Sequence, residues 1–312
     1  MRKMPIPFHG RFVPQRNMKG MVIIMKFGIL YAYWTNEWSG DYMHYLKKAK
    51  ELGFDILEIS AGDLLSMSDS ELDNLKSLAK DLDMEISSNI GPPKKYDVAS
   101  SDPATRKAGI EFLTSIMKKM DRLDSRALIG VMYTYWPNDF SDLDKPALWA
   151  RGVESAKIMG KTAQELGITM SMEVVNRYET LILNTAEEAV RFCNEVDNPN
   201  VKILLDTFHM NIEEDNFADA ISLAGAGLGH MHIGEGNRKL PGHGHLPWGE
   251  IGAALRKVGF DGGVVMEPFV LQGGQVGKDI KVFRDLSGGA SPEKMDADAK
   301  DALLFLKSKF LA

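Results

Sequence analysis

The run KILLDTF, residues 202–208, indicates the fold most directly, because it is almost continuously apolar and then ends on a carboxylate. Such a run predicts a strand buried on both faces, which is typical of a parallel sheet covered by helices. Asp206 and His209 stand three residues apart where this strand ends. A charged side chain in such an apolar strand is costly unless it is paired or bound to a metal. The stretch therefore raises two questions: how many such strands the chain has, and what partners Asp206.

Similar runs recur along the whole chain, and a helical pattern follows each of them. The seven others are FGILYAYW (27–34), ILEIS (56–60), EISSNI (85–90), ALIGVMYTYW (127–136), TMSMEVVN (169–176), LGHMHIGE (228–235) and GGVVMEPF (262–269). Eight strand–helix units predict a single (β/α)8 TIM barrel over residues 25–312. A doubly wound open sheet is the alternative, but it would usually carry a glycine-rich phosphate loop after its first strand, where this chain has YAYWTNEW.

Local signals agree with this division of the chain. Ser68 and Glu71 predict a capping box at a helix start, and Gly53 and Gly167 predict helix ends. Residues 1–24 hold five basic residues and no acidic one. Three prolines there argue against an amphipathic transit helix, so we interpret the segment as an N-terminal extension rather than a targeting peptide.

Composition excludes several classes of function. The net charge of -6 argues against binding to nucleic acid, whose phosphates are met by Lys and Arg. No apolar run is long enough for a membrane span. The single cysteine, Cys193, cannot form an internal disulfide, which suits a reducing cytoplasm.

Ligand-type residues stand near the carboxyl ends of four consecutive predicted strands, where TIM barrels carry their active sites. They are Glu173, Asp206, His232 and Glu267. Three carboxylates and one imidazole suit one divalent cation of intermediate hardness, with Mn²⁺ preferred and Mg²⁺ or Co²⁺ as alternatives. Zinc is more often held by cysteines or several histidines.

The remaining histidines of the second half receive other interpretations. His230 points the same way as His232 on its strand and is interpreted as structural. His243 and His245 lie in a Pro/Gly-rich loop where we expect no carboxylate nearby, so they are expected to be solvated. His209 could be a further nitrogen ligand, but we prefer a contact to substrate.

Several motifs together resemble the ketose 3-epimerases, meaning the D-tagatose and D-psicose (D-allulose) 3-epimerases. They are EVVNRYE (173–179), LDTFHMNIEED (205–215), HMHIGEGNRKLPGHGHLPW (230–248) and VVMEPFVLQGG (264–274). The resemblance implies a barrel with one divalent metal per subunit, held by the four residues chosen above. It also implies a homodimer or homotetramer and a small ketose as the partner.

The resemblance further implies that Glu179, His209 and Arg238 grip the ketose, with Trp38 and Trp136 as aromatic walls. Three pocket positions bear on sugar preference. Leu30 replaces a tyrosine of psicose-type members, Val131 stands where Gly or Ala is usual, and Asn89 lies on the pocket side. The preferred ketose therefore stays open between D-tagatose and D-psicose types.

The expected reaction removes the proton from carbon 3 of a ketose and returns it on the other face, through a cis-enediolate. Glu173 and Glu267 would act as base and acid. An aldose–ketose isomerase is the nearest alternative, because it would use a bound metal in the same way and would differ only in its product. A DNA-repair endonuclease would need several zinc ions and a basic face, and a non-catalytic metal-dependent sugar-binding protein would need no base on each face.

Overall fold

A computed structural model describes residues 25–312 of the chain, so the predicted extension at 1–24 lies outside the described residues. Eight parallel strands close into one barrel, in the order of the sequence from β1 to β8. Their bounds are β1 Lys26–Leu30, β2 Ile56–Ser60, β3 Glu85–Asn89, β4 Ala127–Gly130, β5 Thr169–Val174, β6 Val201–Asp206, β7 Leu228–Ile233 and β8 Gly263–Met266. The predicted (β/α)8 TIM barrel is confirmed.

Helices surround the barrel, and most of them follow a strand directly. Their bounds are α1 Tyr42–Leu52, α2 Asp69–Asp81, α3 Pro103–Leu123, α4 Lys145–Leu166, α5 Ala186–Val196, α6 Thr207–Glu213, α7 Phe217–Ala224, α8 Trp248–Val258, α9 Gly274–Asp279 and α10 Pro292–Phe310. The predicted capping box of Ser68 and Glu71 is present at the start of α2. Gly53 and Gly167 end α1 and α4 in the left-handed conformation that glycine tolerates best.

Several strands end before the apolar runs that predict them, and in the first and fourth runs the chain turns out of the sheet. The run 27–34 leaves the sheet after Leu30, where Tyr31–Tyr33 form a 3-10 turn. The run 127–136 leaves it after Gly130, whose φ of 122° takes the chain out of the strand. A β-carbon at Gly130 would lie 2.2 Å from the carbonyl oxygen of Ile90, so the close approach also requires glycine. After both departures the aromatic residues lie beyond the strand ends instead of extending the sheet.

The register of the strands brings polar residues of separate runs side by side. Asp206 pairs with His232 between β6 and β7, and Glu58 pairs with Ser87 between β2 and β3. Beyond the strand ends, Thr207 Oγ1 donates to the carbonyl of Gly234 at 2.7 Å and accepts from its N–H at 2.9 Å. This pair of hydrogen bonds ties the end of β6 to the end of β7. Among the described helices, none is both long enough and apolar enough to cross a bilayer.

Candidate active site

Four ligand-type side chains meet at the carboxyl ends of β5 to β8. One ligand atom each from Glu173, Asp206, His232 and Glu267 lies within 4.8 Å of the others. All four residues are buried, with His232 fully so. The barrel thus brings together the four residues that the sequence predicts as metal ligands, since neighbouring parallel strands end at the same level.

The chemistry of this donor set fits a cation. Asp206 Oδ1 accepts the N–H of Phe208 at 2.8 Å, whereas its Oδ2 is buried and accepts no hydrogen bond within the described part of the chain. A buried carboxylate oxygen without a hydrogen-bond donor is costly, and a metal ion is one of the few partners that would satisfy it. Glu173, Asp206, His232 and Glu267 would therefore hold the metal.

Electrostatics at the cluster also favour added positive charge. Burial lowers the pKa of His232, but the carboxylates of Glu267, Glu58 and Glu173 outweigh it and raise that pKa well above the ordinary value. Burial, with Glu173 and Asp206 nearby, raises the pKa of Glu267 well above its usual range despite the opposing charge of His232. Burial likewise raises the pKa of Asp206. These shifts reflect an excess of buried negative charge, which a divalent cation would compensate.

His232 is oriented by carboxylates on both of its nitrogens. Its Nδ1 lies 3.2 Å from Glu173 Oε1 and 3.4 Å from Glu267 Oε1, which is the side of the ligand cluster. Its Nε2 lies 2.9 Å from Glu58 Oε1 on the opposite side. The imidazole therefore presents Nδ1 to the candidate metal position.

His209 presents one nitrogen to the candidate site and is held through the other. Its Nδ1 accepts the backbone N–H of Asn176 at 3.1 Å and lies 2.7 Å from the Asn176 side-chain nitrogen. Because Nδ1 accepts, Nε2 carries the proton, and it lies 3.4 Å from Asp206 Oδ2. This tautomer makes His209 a hydrogen-bond donor to an oxygen in the cavity, as a substrate contact requires.

Arg238 spans the carboxylates at the mouth. Its guanidinium lies 3.4 Å from Glu179 and 3.4 Å from Glu267, and 3.6 Å above the ring of Phe208. The φ of Arg238 is 64°, a left-handed conformation that is uncommon for a non-glycine residue and often marks a functional site. Its carbonyl accepts the N–H of Phe269 at 2.9 Å, so the loop after β7 is anchored to the end of β8.

A cavity of about 300 Å³ opens above the cluster. Every residue that the sequence predicts as a substrate contact lines it: Leu30, Trp38, Asn89, Val131, Trp136, Glu179, His209 and Arg238. Glu173 and Glu267 line it as well. The rings of Trp38 and Trp136 meet edge to face at 6.0 Å, and Trp136 Nε1 donates to Glu179 at 2.9 Å. The aromatic walls therefore position a carboxylate as well as provide apolar surface.

His230, His243 and His245 are not among the residues that line this cavity. His230 is buried beneath it, with Nε2 3.3 Å from Glu58. His243 and His245 are exposed. One expectation about their loop was wrong, because a buried carboxylate does lie nearby. Glu235 accepts the N–H of Gly242 at 2.8 Å and the indole N–H of Trp248 at 2.8 Å, and so holds the loop together.

Glu58 and Asn176 are site residues that the sequence reasoning missed. Glu58 is the third residue of the apolar run ILEIS, so a buried charge was visible there. Its partners lie on β3 and β7, however, and only the closed barrel makes them neighbours. Asn176 ends the run TMSMEVVN, and its partner His209 belongs to the next strand–helix unit.

Comparison with known proteins agrees with this fold and arrangement. The chain matches the family model described as xylose isomerase-like TIM barrel over residues 46–286. A D-psicose 3-epimerase of Agrobacterium fabrum is 49% identical over 282 residues, covering 90% of this chain and 98% of that protein. A ketose 3-epimerase of Arthrobacter globiformis is 34% identical over 249 residues, covering 78% of this chain and 84% of that protein.

A solved structure gives the same result in three dimensions. The crystal structure of a D-psicose 3-epimerase with D-tagatose from Clostridium cellulolyticum superposes with a TM-score of 0.91 at 46% identity, covering 92% of this chain and 99% of that chain. The fold class is thus that of the xylose isomerase-like barrels. Within that class, the chain belongs to the ketose 3-epimerase family of isomerases.

Proposed function

We propose that this protein interconverts ketohexoses at carbon 3, with the D-fructose/D-psicose and D-tagatose/D-sorbose pairs as its substrates, and that it depends on a divalent metal, preferably Mn²⁺. One observation carries the proposal: two carboxylates, Glu173 and Glu267, line the cavity and also belong to the ligand cluster. The names of the relatives, D-psicose 3-epimerase and ketose 3-epimerase, support the reaction and the substrate class.

The roles of the four cluster residues follow from where they lie. Glu173 and Glu267 reach the cavity, so each can take or give a proton at a bound sugar, and their roles exchange with the direction of reaction. Asp206 and His232 are not among the cavity-lining residues, so they would bind the metal and take no part in proton transfer. A bound divalent cation would stabilise the negative charge that develops on the sugar oxygens when the carbon-3 proton leaves.

The polar groups around the cavity would orient the sugar. His209 donates from Nε2, Arg238 donates from its guanidinium, and Glu179 accepts from sugar hydroxyls. The edge-to-face pair of Trp38 and Trp136 would cover an apolar face of the sugar and exclude water from the reacting centre. Leu30 and Val131 add apolar surface at positions that bear on which ketose fits.

Substitution of each cavity glutamate by glutamine tests the proton-transfer roles. Glu173→Gln and Glu267→Gln keep an oxygen that could bind metal but remove the base. Each is expected to lower turnover of D-psicose by about 10²- to 10⁴-fold at saturating Mn²⁺, the range typical of general acid–base catalysis. Glu154→Gln, on the exposed face of α4, is the matched control and should leave turnover unchanged.

The product distinguishes this proposal from its nearest alternative. An aldose formed from the ketose would make the protein an aldose–ketose isomerase on the same barrel. Full turnover by the folded Glu267→Gln variant would contradict the two-glutamate scheme.

A further inference from the structure

Glu58 is a buried carboxylate that the proposed reaction does not use. It lies in the middle of β2, is 0% exposed, and is not among the residues lining the cavity. Four polar groups from two other strands surround it. They are His232 Nε2 at 2.9 Å, Ser87 Oγ at 2.8 Å, Asn89 Nδ2 at 3.2 Å and His230 Nε2 at 3.3 Å.

The contact with His232 determines which nitrogen of that ring faces the ligand cluster. A carboxylate can only accept, so His232 Nε2 must carry a proton in this contact. Nδ1, which lies 3.2 Å from Glu173, is then the nitrogen left to coordinate a cation. Metal-binding histidines commonly have their other nitrogen held by a carboxylate in this way, which fixes both tautomer and ring orientation.

We propose that Glu58 is a positioning residue that holds His232 with Nδ1 directed at the metal, and that metal affinity depends on it. This inference rests on the proposed function in one respect, namely that the cluster of Glu173, Asp206, His232 and Glu267 binds a divalent cation.

Glu58 also connects to the proton-transfer side of the site. Asn89 Nδ2 donates to Glu58 Oε1 at 3.2 Å and lies 3.5 Å from Glu267 Oε1. One carboxylate thus holds a metal ligand directly and contacts, through Asn89, one of the two cavity glutamates.

Metal affinity in the absence of sugar is the first test. Calorimetric titration of metal-stripped protein with Mn²⁺ should show about 100-fold weaker binding for Glu58→Ala and about 10-fold weaker binding for Glu58→Gln, whose amide oxygen can still accept from His232 Nε2. Glu85→Gln, an exposed carboxylate on β3, controls for loss of charge and should bind Mn²⁺ normally. Ser87→Ala removes one hydrogen bond from Glu58 without touching His232 and should weaken binding only a few-fold.

The protonation state of His232 is the second test and is independent of catalysis. In ¹⁵N-histidine-labelled protein loaded with diamagnetic Mg²⁺, long-range ¹⁵N–¹H spectra should show His232 protonated at Nε2 only. Glu58→Gln should retain this pattern, and Glu58→Ala should lose it at Mg²⁺ concentrations that saturate the parent protein but not the variant. His232→Gln protein assigns the signal among the seven histidines of the chain.

Two results would overturn the proposal. In the first, folded Glu58→Ala binds Mn²⁺ with an affinity within about threefold of that of the parent protein. If the alanine variant does not fold, the same result for Glu58→Gln would overturn the proposal. The other is His232 protonated at Nδ1 in the loaded parent protein. Neither measurement uses a sugar, so both can succeed even if the reaction proves to be a different isomerisation. A parent protein that binds no divalent metal would instead refute the metal dependence in the proposed function, and this inference with it.

Discussion

Replacement of Arg238 by alanine tests how the mouth of the cavity holds a sugar. Arg238 is 6% exposed, and its guanidinium lies 3.4 Å from both Glu179 and Glu267 and packs 3.6 Å above Phe208. Loss of one hydrogen bond from such a charged group to a sugar hydroxyl costs about 2–3 kcal/mol, which corresponds to about 30- to about 150-fold. Because Arg238 would grip the sugar away from the leaving proton, we expect this loss mainly in KM.

Steady-state kinetics with D-psicose at saturating Mn²⁺ would measure the effect. Arg238→Lys keeps the charge but not the planar pair of donors, so its KM should fall between those of the parent and the alanine variant. Arg191→Ala removes an exposed arginine of α5 that packs on Trp149, and its KM should not change. A KM for Arg238→Ala within about twofold of the parent value, in protein with an unchanged melting temperature, would refute a role in sugar binding.

Three further outcomes are expected. Asn176→Asp puts a hydrogen-bond acceptor opposite His209 Nδ1 and so favours the tautomer that lacks a proton on Nε2. KM for D-psicose should therefore rise about 10-fold. Asn176→Ala should raise KM less. The pKa values of His232 and Glu267 are raised, so a metal ion must displace protons from these side chains. Mn²⁺ affinity measured by calorimetry should therefore increase from about pH 6 to about pH 8. An affinity independent of pH would contradict the raised pKa values. Chelation should lower the melting temperature, and added Mn²⁺ should restore it by an amount that grows with its concentration; a melting temperature indifferent to Mn²⁺ would contradict metal binding by the folded chain.

The fold could be predicted because its signal is local and repeated. Each of the eight apolar runs overlaps one strand, and their even alternation with helical patterns leaves few architectures other than a barrel. The errors lie at strand ends. Aromatic residues such as those in YTYW have high strand propensity, but Gly130 turns the chain out of the sheet before they are reached. Strand propensity does not show at which residue the backbone must leave the sheet of a closed barrel.

The candidate site was partly predictable for a related reason. Glu173, Asp206, His232 and Glu267 stand at equivalent places in successive runs, and barrel geometry brings such places together. Glu58 lies at mid-strand, and its contacts to His232 and Ser87 depend on the register and inward direction of three strands. These contacts between distant segments, and the tautomers that they fix, require coordinates.

The most direct test of the account follows a single proton. Metal-stripped protein would be given back Mn²⁺ and incubated in heavy water with D-fructose and, separately, with D-tagatose, and the position of deuterium in the separated products would be determined. We expect D-psicose from D-fructose and D-sorbose from D-tagatose, each labelled at carbon 3 and formed only when Mn²⁺ is present. An aldose labelled at carbon 1 or 2, or equal turnover without any metal, would contradict it.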